Sequence, residues 1–196
     1  MVALRKPRPV APMNLPAALG WDSGDGSGRL GQLRDGVPEA MAPASETHGA
    51  IQAELGRLLG NHLLDTGRPC RVVTTPGIVP RVRAGENLRI PDLAVTCAPP
   101  GSNRLTTDPV PVVEILSPSN AEQPWANVWA YTTIPSVTEI LVVASTERRA
   151  ELLARGADGT WPATAETVSD TLRLDSVGLT LPLIAPYRTI VLDPTG

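Results

Sequence analysis

Two acids stand inside apolar segments of this sequence: Asp92 in Pro91-Asp92-Leu93-Ala94-Val95, and Glu114 in Val112-Val113-Glu114-Ile115-Leu116. If both segments are neighbouring central strands, burying two carboxylates is costly unless a cation sits between them. A hard divalent ion suits that place. Mg²⁺ takes one or two carboxylates and completes its shell with water and phosphate oxygen. Such an ion lowers the pKa of a bound water and stabilises charge on a scissile phosphate. Strand alternation leaves the plainer alternative open, in which either acid points to solvent.

The elements that must position these acids follow from pattern. Residues 1–28 carry scattered prolines and close on Trp21-Asp22-Ser23-Gly24-Asp25-Gly26-Ser27-Gly28, without periodicity, and are expected to form a flexible Pro/Gly-rich N-terminal arm. Residues 29–196 are expected to form one domain. Arg29 to Leu33 and Val37 to Met41, joined at Asp35-Gly36, read as a hairpin. Ser45 then caps a helix to about Leu64, whose Ile51, Leu55, Leu58, Leu59 and His62 share a face.

Strands are expected at Cys70 to Thr75, Ile78 to Arg83, Leu88 to Thr96 and Val110 to Leu116. A second helix fits Ala121 to Thr133. It leads into the apolar strand Glu139 to Val143, which suggests a crossover packed on a mixed sheet. Short segments at Arg149 to Arg155, Thr164 to Val168, Leu172 to Leu174 and Leu179 to Leu181 read as strands and turns at the far edge of that sheet.

Further residues join the chemistry by position. Gln123, Asn127 and Tyr131 recur every four residues and share one helix face, which holds water or phosphate if it meets the acids and is a polar stripe if it meets solvent. Arg81 and Arg83 alternate on one expected strand and Arg89 precedes Asp92. The three are candidates for substrate phosphate, with solvated strand charges as the alternative. Trp125, Val128 and Trp129 are expected to pack, with base stacking the lesser role for either tryptophan. His48 and His62 lie on the apolar side of the first helix and read as satisfied histidines rather than ligands.

Bulk properties narrow the class. The 196 residues suffice for one domain with a substantial core, 42% are apolar and 19% charged, and no apolar run spans a bilayer. The N-terminus has basic residues without an apolar stretch after them, so a cytoplasmic location is expected. A net charge of -3 gives no global attraction to nucleic acid. Cys70 and Cys97 have no His or Cys at metal spacing and are expected as buried free thiols. Lys6 is the only lysine, which excludes chemistry needing a lysine within the core.

The ordered set is Pro91-Asp92, then Glu114-Ile115-Leu116-Ser117-Pro118-Ser119-Asn120, then a helix carrying Tyr131, then Ile134-Pro135-Ser136-Val137-Thr138-Glu139-Ile140-Leu141-Val142-Val143. Across roughly Arg29 to Val143 it resembles the Uma-two family of restriction endonucleases, in the PD-(D/E)XK nuclease superfamily. The resemblance implies an α/β restriction-endonuclease-like core, a mixed β-sheet flanked by helices. It further implies Asp92 and Glu114 as metal ligands, Mg²⁺ (or Mn²⁺) as the ion, and DNA as the substrate. A first-helix acid sometimes joins the metal site in this superfamily, which makes Glu54 a candidate. The departure is the lysine. The superfamily's Glu-x-Lys lysine falls at Leu116, and the usual Uma-two helix lysine, one turn before the tyrosine, falls at Asn127. Asparagine orients water by hydrogen bonding but carries no charge.

Three functions compete. The first is a Mg²⁺-dependent endodeoxyribonuclease, a hydrolase in which a metal-activated water attacks phosphorus, with Asn127 or Gln123 positioning that water and Asp92, Glu114 and Tyr131 completing the site. The second is a catalytically degenerate binding or regulatory module on the nuclease fold, favoured by the missing lysine and the acidic net charge. The third is a structural assembly protein; homodimers are the expected association for this fold.

Overall fold

The computed structural model describes residues 12–20, 31–39, 41, 43–101, 104–117 and 123–192, without the side chains of 123 and 124. Within the expected arm, Leu15–Leu19 forms a one-turn helix, α1. Asn14 caps it by accepting the Ala17 N–H at 3.0 Å, Pro16 suits its first turn, and Ala18 is buried against Leu33 and Leu88. Packing therefore orders a segment whose composition carries no periodicity. Strands β1 (Gln32–Arg34) and β2 (Val37–Glu39) form the expected hairpin, with Asp35 and Gly36 both at positive φ in its turn. Arg29 and Leu30 lie outside the described residues.

Ser45 opens the long helix α2 (Glu46–Asp65), its Oγ accepting the His48 backbone N–H at 3.2 Å. Ile51, Leu55, Leu59 and Leu63 bury one face. Past the helix, Gly67 adopts the left-handed conformation that lets the chain turn away.

Six strands form a mixed sheet in the order β3 (Arg71–Thr74), β4 (Leu93–Thr96), β5 (Pro109–Leu116), β6 (Glu139–Ala144), β7 (Ala150–Ala154) and β8 (Glu166–Val168). Only β5 and β6 run parallel within it. Helix α3 (Gln123–Tyr131) lies on the connection that parallel pairing requires. Alternation then divides the core. Val113, Ile115, Leu141 and Val143 pack with α2, while Val112, Ile140 and Val142 pack with Val128 and Tyr131 of α3.

Four expectations are corrected. Residues 78–83 form no strand, because Pro80 cannot donate to a ladder and Arg83 is left-handed ahead of a 3₁₀ turn at Ala84–Glu86. Only an Ile78–Arg89 bridge remains there. The segment expected as one strand from Leu88 to Thr96 is a strand only over Leu93–Thr96, with Pro91 before it. Strands β9 (Thr171–Leu174) and β10 (Leu179–Pro182) do not extend the sheet edge. They form a separate hairpin whose Leu172, Leu174, Leu179 and Leu181 join the α2 side of the core. Cys70 and Cys97 are disulfide-bonded, since the β3–β4 register that pairs Arg71 with Thr96 sets the two cysteines opposite each other. Among the described residues no helix is long and apolar enough to cross a membrane.

Candidate active site

In the β4–β5 ladder Leu93 pairs with Val113 and Ala94 with Val112. That register, carried one residue past the ladder's last pair, brings Asp92 to Glu114, close enough for the charge of Asp92 to act on Glu114. Both acids are buried, at 9% and 6% exposure. Asp92 is held from three directions. Its Oδ1 lies 2.7 Å from His48 Nε2, and its Oδ2 accepts the Ile115 N–H at 2.6 Å. Its backbone carbonyl accepts from Gln52 Nε2 at 2.7 Å and from the Thr75 N–H at 2.9 Å. His48 and Gln52 are one turn apart on α2, so the capped start of that helix aims both at one residue.

Glu114 is held from α3. Its Oε1 accepts Tyr131 Oη at 2.6 Å and Asn127 Nδ2 at 3.4 Å. Burial first, and then the charge of Asp92, push the Glu114 carboxyl up to about 8, although both donors oppose the rise. Burial and the adjoining Glu114 push the Tyr131 hydroxyl well above the ordinary phenol range. Two buried carboxylates thus share one site, and their proximity favours the protonated form of Glu114.

Cations approach this site without closing on it. Arg34 of β1 donates from Nη2 to Asn127 Oδ1 at 3.3 Å, and its Nε donates to Glu39 at 3.1 Å. Arg89 is 5% exposed and donates from Nη1 to the Leu33 carbonyl, while its Nε has no partner. Burial, and then the like charge of Arg34, lower its pKa.

The structure therefore brings Asp92, Glu114, Asn127 and Tyr131 together, while the Gln123 side chain lies outside the described residues. Arg89 stands beside the group but serves Leu33. Arg81 and Arg83 lie on an exposed turn, where Arg83 pairs with Glu86 at 2.8 Å and with Asp35 at 3.4 Å, so the expected pair of strand cations does not form. Glu54 is clasped by Arg57 at 2.6 Å, which holds its carboxyl below the usual range, and it does not join the two acids. His62 bonds to the Val177 carbonyl. Sequence reasoning passed over Gln52 and Arg34, and it read His48 as a satisfied histidine without naming Asp92 as its partner. The one available signal was His48 and Gln52 at helical spacing just after the Ser45 cap.

Residues 22–183 match the family described as "Uma2: Putative restriction endonuclease". The chain belongs to the Uma2 family. It is 33% identical over 157 residues to "Uncharacterized protein slr1290" of Synechocystis sp., an alignment covering 79% of this chain and 81% of that protein. Its fold is similar to a crystal structure described as a putative nuclease belonging to DUF820 from Anabaena variabilis. The TM-score is 0.67 at 14% identity, over 90% of this chain and 98% of the other. That likeness is one of fold.

Asn127, the position at which the resemblance predicts a lysine, spans Glu114 and Arg34. The donor set still fits a hard divalent ion. Two buried carboxylates stand together, and the nearest arginines, Arg34 and Arg89, bond to Asn127 and Leu33 rather than to the acids. Among the described residues the basic side chain that touches the pair is His48, at Asp92 Oδ1. Among the described residues no group of three or more His, Cys, Asp or Glu side chains is arranged to hold a metal. Such an ion would have to draw the rest of its shell from water and substrate.

Proposed function

We propose that this chain is a metal-dependent DNA endonuclease, with Asp92 and Glu114 holding Mg²⁺ or Mn²⁺, and with its rate reduced by the missing lysine. The observation that carries this reading is the buried Asp92–Glu114 opposition, which lifts the Glu114 carboxyl to about 8. A bound divalent ion supplies Lewis acidity toward the scissile phosphate and lowers the pKa of water. The protein's own groups orient the acids. His48 and the Ile115 amide fix the Asp92 carboxylate, and Tyr131 and Asn127 fix Glu114. Asn127 offers an amide for orienting water, and Arg34 brings positive charge to the same side chain. The family description, a restriction endonuclease, supports a DNA substrate, and the structural neighbour is described as a nuclease.

The test is plasmid cleavage in Mg²⁺ or Mn²⁺ by the wild type, by Asp92→Ala and by Glu114→Gln. Cleavage that needs the ion and vanishes in both variants is expected. Intact DNA under conditions where the wild type binds it defeats the proposal.

A second reading, a degenerate nuclease-fold binding module, is favoured by one observation. Asn127 is already committed on both sides, to Glu114 and to Arg34, in a site with no amine. Under that reading the wild type binds DNA and never cuts it.

A further inference from the structure

The stripe Ala126, Trp129 and Ala130 runs along α3 beside the Asn127–Tyr131 stripe that holds Glu114. It walls a recess of about 250 Å³, closed opposite by Pro80 and Val82 and floored by Asn87 and Arg89. Trp129 is 47% exposed here, although a tryptophan on a helix that covers a sheet ordinarily packs inward. Arg89 is 95% buried by the same measure, and among the described residues its Nη1 donates to the Leu33 carbonyl while its Nε has no acceptor. A buried guanidinium N–H without a partner is costly and is rarely left so. Both residues line the same recess.

The lining chooses between ligand chemistries. A free phosphate needs several converging donor groups, and the Arg89 guanidinium is the only cation in the lining. The Asn87 amide already donates to Asp35 Oδ1 and to the Val82 and Arg83 carbonyls. The Asp35 carboxylate also borders the recess and repels an anion. The remaining walls are carbon apart from Thr133, whose hydroxyl already donates to the Ala130 carbonyl and accepts the Arg81 N–H. What suits them is a flat, uncharged ring with an aromatic face for Trp129 and an acceptor edge for Arg89, which describes a nucleobase.

We propose that this recess is a subsite for one unstacked base of the DNA strand, lying against Trp129 with its acceptor edge toward Arg89. The proposal rests on the nuclease reading and adds to it a reason to engage a splayed or single-stranded segment. A base inside duplex stacking cannot reach a cavity of this kind. Placement one helix stripe from Glu114 puts the base next to the strand whose phosphate meets the acids.

Binding of a short fluorescein-labelled single-stranded DNA, in EDTA so that nothing is cut, tests the subsite with the full chain. The same backbone made abasic throughout is the control. Trp129→Ala is expected to weaken binding of the ordinary strand on the order of tenfold, the scale of one lost base–aromatic stack. Ala126→Leu, which fills the recess from an exposed helix position, is expected to do the same and decides the matter if Trp129→Ala fails to fold. Trp129→Phe should retain most of the affinity. All four proteins should bind the abasic strand alike. Equal binding of the ordinary strand by wild type and both disruptive variants overturns the subsite and leaves the nuclease reading standing, as does an equal loss on the abasic strand. A wild type that binds neither strand overturns the subsite, while the nuclease reading stands or falls on plasmid cleavage in Mg²⁺ or Mn²⁺.

Discussion

Tyr131 places its hydroxyl 2.6 Å from Glu114 Oε1 inside a fully buried site, and that bond opposes the rise in the carboxyl's pKa. Removing it should therefore hurt the ionised site more than the protonated one. We expect Tyr131→Phe to lower stability by about 1 kcal/mol at pH 6 and by about 2–3 kcal/mol at pH 9, the difference being that between a neutral and a charge-assisted hydrogen bond. Urea unfolding in EDTA at the two pH values measures it. A penalty that does not grow with pH would mean the hydroxyl serves packing alone.

Glu114 itself sets the pH dependence of the metal-free protein. Its folded pKa of about 8 lies above the ordinary 4.5, so between those values the folded state holds a proton that the unfolded chain has lost. Stability from this group is fully present below about pH 4.5 and is lost as pH rises through about 8. Each unit of displacement is worth about 1.4 kcal/mol, so the loss amounts to roughly a few kcal/mol. Glu114→Gln, neutral throughout, should flatten this part of the profile and melt above the wild type at pH 8.5 in EDTA. If the two melting profiles stay parallel across that range, the carboxyl does not titrate as described.

The Cys70–Cys97 bond ties edge strand β3 to β4, and Thr75, one residue past β3, donates its N–H to the Asp92 carbonyl. Opening the disulfide should loosen one of the contacts that hold Asp92. We expect reduction, or the Cys70→Ser/Cys97→Ser pair, to cost about 2–4 kcal/mol in urea unfolding. Faster amide exchange at Thr75 than at Val142, in the middle of the sheet, should accompany it. Unchanged exchange at Thr75 would show that β3 is held by its ladder alone.

The site was legible in the sequence where a residue broke its local pattern. Asp92 and Glu114 stood out because acids are out of place in apolar strands, and Asn127 and Tyr131 because four-residue spacing on a helix leaves little choice of face. His48 broke no pattern: a histidine on an apolar helix face looks ordinary, and its partner Asp92 lies 44 residues away. Arg34 meets Asn127 across 93 residues, and the disulfide depends on a register that neither cysteine's neighbours specify. The segment Ile78 to Arg83 misled in the other direction. Its apolar and β-branched composition suits a strand, but Pro80 and the left-handed Arg83 turn it into the rim of the recess beside Trp129.

Asn127→Lys asks whether the missing amine is what limits the reaction. At 4% exposure, a lysine at 127 would enter a buried position with Glu114 on one side and Arg34 on the other. Glu114 is the natural partner, because a cation at that spot favours its ionised form and offsets the push from Asp92. Burial and Arg34 work against the new charge while Glu114 favours it, and an amine so placed can orient and polarise the attacking water. We expect cleavage of plasmid in Mg²⁺ to rise on the order of hundredfold over the wild type, the lower end of what a positioned acid–base group contributes. Pairing the change with Arg34→Gln should relieve the repulsion and restore any stability the single variant loses. A folded Asn127→Lys protein that binds DNA and Mn²⁺ as the wild type does, yet cuts no faster, would show that the amine is not the limiting part.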